Sequence, residues 1–182
     1  MITGLKAEEQ HQHKNGGGWI ANTATVEDSV YIGPDAQVYG NARVFGDAWV
    51  LGDAWVYGVA WVYGNAQVFG DARVFGDARV YGNARVYGDA RVYGNAQVLD
   101  DARMYGNAQV FGDAWVETPL FIQGTKHGVS NSSYGKLSIG CVTLTFAEWK
   151  KQYRALGKRE GYTEKQIKEY GAIIALATKI GK

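Results

Sequence analysis

At 182 residues and 46% apolar content, the chain is long enough for one ordinary domain or two small ones. Its 25 glycines against 2 prolines point to turns recurring on a schedule; no run of 18 apolar residues suggests a transmembrane helix, and the lone Cys141 excludes an internal disulfide framework and fits a reducing compartment. The net charge of +1 hides an asymmetry, because residues 19–117 carry six Arg and twelve acidic residues (−6) while residues 118–182 carry eleven Lys/Arg and four acidic residues (+7), as expected of two modules.

Residues 1–18 read as a flexible polar segment. Met1 to Asn15 has no apolar stretch of the signal-peptide kind. His11-Gln12-His13 could hold a metal only weakly, and a polar tail is the plainer reading.

Residues 19–117 hold a nearly unbroken period of six. An aliphatic residue recurs from Ile20 through Val38, Val44 and onward to Val98, Met104, Val110 and Val116. An Ala follows most of these aliphatics by four residues, as at Ala36 and Ala42, and a Gly-Asn or Gly-Asp pair usually lies between them. The β-branched residue suits a buried strand, and Gly before Asn or Asp tolerates the positive φ of a turn. A six-residue step does not fit the 3.6-residue helical period, and its arms are too short for hairpins. The remaining solution is a coil in which each strand pairs with its equivalent one turn on, leaving edges only at the two ends.

Stacking at 18 residues turns the outward positions into columns. Just before the aliphatics stand Gln37, Trp55, Arg73 and Arg91 on one face, Arg43, Trp61, Arg79 and Trp115 on the next, and Trp49, Arg85 and Arg103 on the third. Just after them come aromatics, including Tyr57 and Tyr63. Such ladders stabilise a coil by cross-strand stacking and cation–π contact. Exposed Trp, Tyr and Arg are also the residues that dominate binding hot spots. Trp49, Trp55, Trp61, Trp115, Arg73, Arg79, Arg85, Arg91, Tyr57 and Tyr63 are therefore the candidate binding residues, with no catalytic or metal set and no cofactor beside them.

Residues 118–182 read as an α/β capping module. Leu120–Gln123 and Lys136–Cys141 are expected as strands around a Gly/Ser/Asn-rich turn. Thr145 and Glu148 form a capping box opening a helix with Phe146, Trp149, Tyr153 and Leu156 on one face and Gly157 as its stop. Thr163 and Gln166 open a second helix carrying Ile167, Tyr170, Ile174 and Ala177. Any solenoid needs its ends covered. Lys126, His127 and Cys141 could form a site, with structural roles the plainer reading, and the basic run Lys150, Lys151, Arg154, Lys158 and Arg159 reads better as a solvated helix face than as a nucleic-acid surface.

The repeat resembles the hexapeptide-repeat family of left-handed parallel β-helices, which implies a triangular coil of three hexapeptides per turn, a mainly-β fold with the small α/β cap at its end. The family's acyltransferases use a His base on the coil; here His11, His13 and His127 all lie outside the repeat and no loop interrupts it. Zinc-hydratase relatives need three His ligands, and ice-binding relatives use Thr ladders that Val38–Trp115 lacks. The opening Asn15-Gly-Gly-Gly-Trp19-Ile20, with Gly124-Thr-Lys-His127, Leu137-Ser-Ile-Gly-Cys141 and Glu148-Trp149, resembles hexapeptide-repeat proteins carried by phages and prophages. The resemblance implies a viral context, in the host cytoplasm or on the virion, and the family's habit of trimerising implies self-association. A non-enzymatic module binding a copy of itself, a virion component or a host defence protein is the expectation, without membrane or nucleic acid. An acyltransferase and a glycan-binding appendage are the alternatives.

Overall fold

The computed structural model describes residues 1–112, 114–115 and 117–181. It divides into two compact units, Met1–Asn107 with Phe111–Thr118, and Ala108–Val110 with Pro119–Lys182.

The first unit is a β-solenoid of about five turns. Most coil strands are two residues long, an outward residue followed by the inward aliphatic, as in Gln37–Val38 and Trp55–Val56. The glycine of each turn then takes the left-handed region, as Gly40 does at φ 67° and Gly46 at φ 70°, and carries the chain round the corner. Three parallel sheets result, in steps of 18 residues: Gln37 pairs with Trp55, Trp55 with Arg73, and Arg73 with Arg91. Backbone bonds close each step, for example from Tyr39 N–H to the Val56 carbonyl at 3.0 Å. Inside, every repeat Ala and aliphatic from Ala36 to Met104 is fully buried, each Val stabilising the stack by about 1.5–3 kcal/mol gross before backbone entropy is charged against it. In the first turn Val26 is only half-buried.

Residues 1–18, expected as a flexible segment, are folded onto the start of the coil. Gln10–Gln12 pairs antiparallel with Trp19–Ala21 and covers that strand's open edge. The buried Gln10 side chain accepts from Ile2 N–H at 2.7 Å and donates to the Leu5 carbonyl at 3.1 Å, tying down Ile2, itself buried. His13 is buried too, its Nε2 3.0 Å from the Val30 carbonyl, whereas His11 meets Asn22 on the exposed side. Strand alternation thus separates the two histidines. A side chain at Gly16 or Gly18 would overlap Ile32, which accounts for the glycine run there.

At the other end the register slips. Ala114 pairs with Gln97 and Trp115 with Val98, a step of 17 instead of 18. A one-residue slip exchanges the two faces of a strand, so Trp115 points inward and is 1% exposed. Val116, read from the sequence as the last inward aliphatic, lies outside the described residues.

The second unit is a four-stranded antiparallel sheet, Phe121–Gln123, Gly128–Ser133, Lys136–Ile139 and Val142–Thr145 in chain order, followed by α1 (Phe146–Arg159) and α2 (Glu164–Ile180). Both capping boxes form: Thr145 accepts from Glu148 N–H and Glu148 from Thr145 N–H, and Thr163 and Gln166 repeat the exchange. The core gathers Val129, Leu137, Trp149, Tyr170, Ile174 and Ala177, and the Trp149 indole donates to the Leu137 carbonyl at 2.8 Å. Gly157, expected to stop α1, lies inside it, where a Cβ would come 2.9 Å from Ile167; Gly161 at φ 69° follows the actual end. No described helix is long and apolar enough to cross a membrane.

Candidate binding surface

Because Val and Ala fill the interior, function has to be sought in the outward columns and in what borders them. The aromatic residues after the aliphatics stack as ladders. On the first face Tyr39, Tyr57, Phe75 and Tyr93 follow one another at centroid distances of 4.9, 4.9 and 5.2 Å with nearly parallel planes. Tyr63 stacks on Tyr81 at 4.8 Å and Phe69 on Tyr87 at 4.9 Å on the other two. These rings are half-buried by their neighbours. Burial, then the adjacent Tyr57, pushes the Tyr39 phenol up to about 12, with Arg73 opposing; burial and Tyr81 likewise raise Tyr63.

The columns before the aliphatics differ from face to face. Trp61 is sandwiched by Arg43 and Arg79, whose guanidinium carbons lie 5.0 and 5.4 Å from the ring centroid, and Arg73 covers Trp55 at 4.9 Å. Trp55, Trp61 and Arg73 are half-buried by this packing, whereas Arg79, Arg85 and Arg91 are exposed. The third face is the barest. Trp49 is 48% exposed with Tyr31 as its ring neighbour, and Arg85 and Arg103 stand in register, exposed, beside the exposed Tyr105. Among the described residues no carboxylate lies within ion-pair distance of any coil arginine.

The expected ten-residue set is thus split over three faces. Trp115 leaves it altogether, since the slipped register buries it and no surface role remains. Sequence reasoning also missed a groove of about 210 Å³, in which Ile2, Thr3, Gly4 and Leu5 face Gln37, Tyr39 and Trp55. Ile2 at the second position of a polar stretch was the only signal for it.

In the second unit, Lys126 donates to the Glu160 carbonyl at 2.8 Å and its ammonium lies 4.3 Å from the Tyr162 ring centroid. The Tyr170 hydroxyl accepts from Lys126 N–H and donates to the His127 carbonyl, and Glu169 takes both the backbone N–H and the hydroxyl of Thr125. Those two bonds hold the Glu169 carboxyl below its usual range. The His127 ring lies against Gly140, and Cys141 is exposed. This is a loop fastened to α2, and among the described residues no group of three metal-ligating side chains forms.

The repeat matches the family model of the YdcK β-solenoid repeat over residues 36–52, 66–82, 78–94 and 84–100. Comparison with curated proteins found no match, and comparison with solved structures found none either. The matched segments fall wholly within the solenoid, and the β-solenoid repeat is what this chain has in common with that family.

Proposed function

We propose that the chain is a non-catalytic binding module, of the kind carried by phages, whose solenoid presents its third face to a protein partner. The observation that carries this reading is the column Trp49, Arg85, Arg103 with Tyr105: large, exposed, rich in hot-spot residue types and, among the described residues, with no carboxylate in ion-pair distance of its arginines. A partner face with carboxylates opposite Arg85 and Arg103 and a pocket for Trp49 would complement it. The motifs at both ends that resemble phage-carried hexapeptide proteins support a viral setting, with a virion component, a host defence protein or another copy of the chain as the partner, in the host cytoplasm or on the virion. An acyltransferase would need a general base, and the repeat carries no His.

Affinity capture from bacterial lysate tests this reading, with Trp49→Ala and Arg85→Glu as one control and Trp61→Ala as another. A protein retained by the native chain and by Trp61→Ala but lost with the third-face substitutions supports it. Capture that ignores all three substitutions refutes it, as does the absence of any enriched protein together with a monomeric solution mass. A glycan is the second reading, favoured by the groove beside Trp55, where an aromatic ring and the Gln37 amide adjoin. Saturable binding on a glycan array that Trp55→Ala abolishes would select it.

A further inference from the structure

We propose that the cleft between α1 and α2 is a binding site for one phosphate group carried by a small molecule, independent of the solenoid faces. The cleft holds about 120 Å³ and is lined by Tyr153, Arg154, Lys158, Glu164, Ile167 and Lys168. Three cations meet one carboxylate there, and that carboxylate is poorly engaged. Lys158 approaches Glu164 only to 3.8 Å, with both side chains largely exposed. Lys168 makes no ion pair among the described residues. The excess of two positive charges matches the roughly −1.5 to −2 of a phosphate monoester near neutral pH.

Arg154 is already arranged for such a ligand. Its Nε donates to the Tyr153 hydroxyl at 2.9 Å and its guanidinium carbon lies 5.6 Å from the Tyr153 ring centroid. With one edge of the fork so fixed, the remaining N–H groups are left to meet phosphate oxygens in the bidentate manner that distinguishes Arg from Lys. Tyr153 is fixed in turn by Gly171 of α2, where a Cβ would come 2.7 Å from the ring. A glycine in a helix interior costs stability relative to alanine, and here its bareness lets Tyr153 lie against α2 with its hydroxyl toward Arg154. The half-buried Tyr153 ring supplies apolar surface for the organic part of the ligand, with the buried Ile167 beneath it. A long polyanion fits less well, since the cleft takes about one phosphate and residues 19–117 carry −6.

The test is a titration of the whole protein with inorganic phosphate at constant ionic strength, followed by amide chemical shifts. Saturable shifts at α1 and α2 are expected, weakened about tenfold or more by Arg154→Gln or Lys168→Gln, as for loss of a charge-assisted hydrogen bond. Tyr153→Phe should weaken binding less, by freeing the Arg154 fork. Glu164→Gln should tighten it several-fold, an outcome that damage to the fold would not produce. Three results overturn the proposal: shifts reproduced by chloride alone, saturable binding indifferent to Arg154→Gln, or a twelve-residue oligothymidine binding far more tightly than phosphate with a steep salt dependence, which would mark a nucleic-acid surface instead.

Discussion

Adding one methyl group at Gly82 tests how the solenoid is held together. Gly82 sits at φ 71°, and an ideal Cβ there lies 2.9 Å from the Asp100 nitrogen and 3.1 Å from its Cα, backbone atoms of the next turn. Gly94, at φ 61°, has the same backbone need but meets nothing nearer than the Phe111 Cβ at 3.7 Å. Left-handed backbone costs an alanine about 1–2 kcal/mol, of which roughly 0.4–1 returns through a stiffer unfolded chain. Gly94→Ala should therefore cost about 1 kcal/mol. Gly82→Ala bears the same strain and in addition forces two turns apart, an overpacking cost of about 1–3 kcal/mol, for roughly 2–4 in all. Urea unfolding followed by circular dichroism at fixed protein concentration measures both, and the m-values show whether each variant still unfolds in the same cooperative step. If the two variants agree within about 0.5 kcal/mol, turn-on-turn contact at the corners contributes nothing and the glycines serve backbone conformation alone.

Trp115→Ala should cost about 3–5 kcal/mol, as for a buried Trp, whereas an outward Trp115 would lose well under that; the same unfolding assay decides. The Glu148 carboxyl is held below its usual range by bonds from the Thr145 side chain and backbone, so its contribution is present at neutral pH and is lost as acid takes the pH down through that lowered pKa; Thr145→Val should return it toward 4.5 in a carboxyl NMR titration. Tyr39 and Tyr162, both pushed up to about 12 mainly by burial, should ionise after an ordinary tyrosine in a 295 nm alkaline titration, and the stability they lend is intact below about 10 and lost as pH rises toward 12. Arg103→Gln should raise the stability of the free coil by up to about 1 kcal/mol, more at low salt, while weakening capture of the partner.

The coil's interior could be read from the sequence because each of its requirements is local and repeats: a β-branched residue, a small residue and a left-handed turn. The 18-residue register followed from the same pattern. Both helix starts were legible for a similar reason, since a capping box is a four-residue arrangement that satisfies its own backbone groups. What escaped was decided by contacts far away in sequence. Trp115 continues the pattern Gly-Asp-Ala-Trp-Val faithfully, yet the last turn has no further turn to hold its register and the larger side chain takes the inward place. Gly128–Ser133 has the composition of a loop, and it is a strand because Asn131 bonds the carbonyls of Ser133 and Lys136 and its neighbours pair on both sides. Gly157 looks like a helix stop until Ile167 is packed against it. Ile2, Gln10 and His13 have no periodicity at all, and only their partners in three dimensions reveal their purpose.

Stability explains the outward columns of the first turns better than those of the later ones. Arg43, Arg73 and Arg79 each stack on a tryptophan, so exchanging any of them would remove a contact the coil uses. Further along, Arg91 is in register with Arg73, and Arg103 with Arg85, so like charges stand directly opposite each other, and among the described residues none of Arg85, Arg91 and Arg103 has an ion pair or a ring stacked on it. Such pairs oppose folding, and the repeat has a neutral substitute at hand, since Gln fills the same columns at Gln67 and Gln109. Val inside and Gly at the corners would tolerate that exchange without change. On the proposed reading, an arginine kept against the interest of the free coil would serve a contact outside it. The pair Arg85 and Arg103, on the face where Trp49 is also uncovered, is where a partner's carboxylates would turn a repulsion into an attachment.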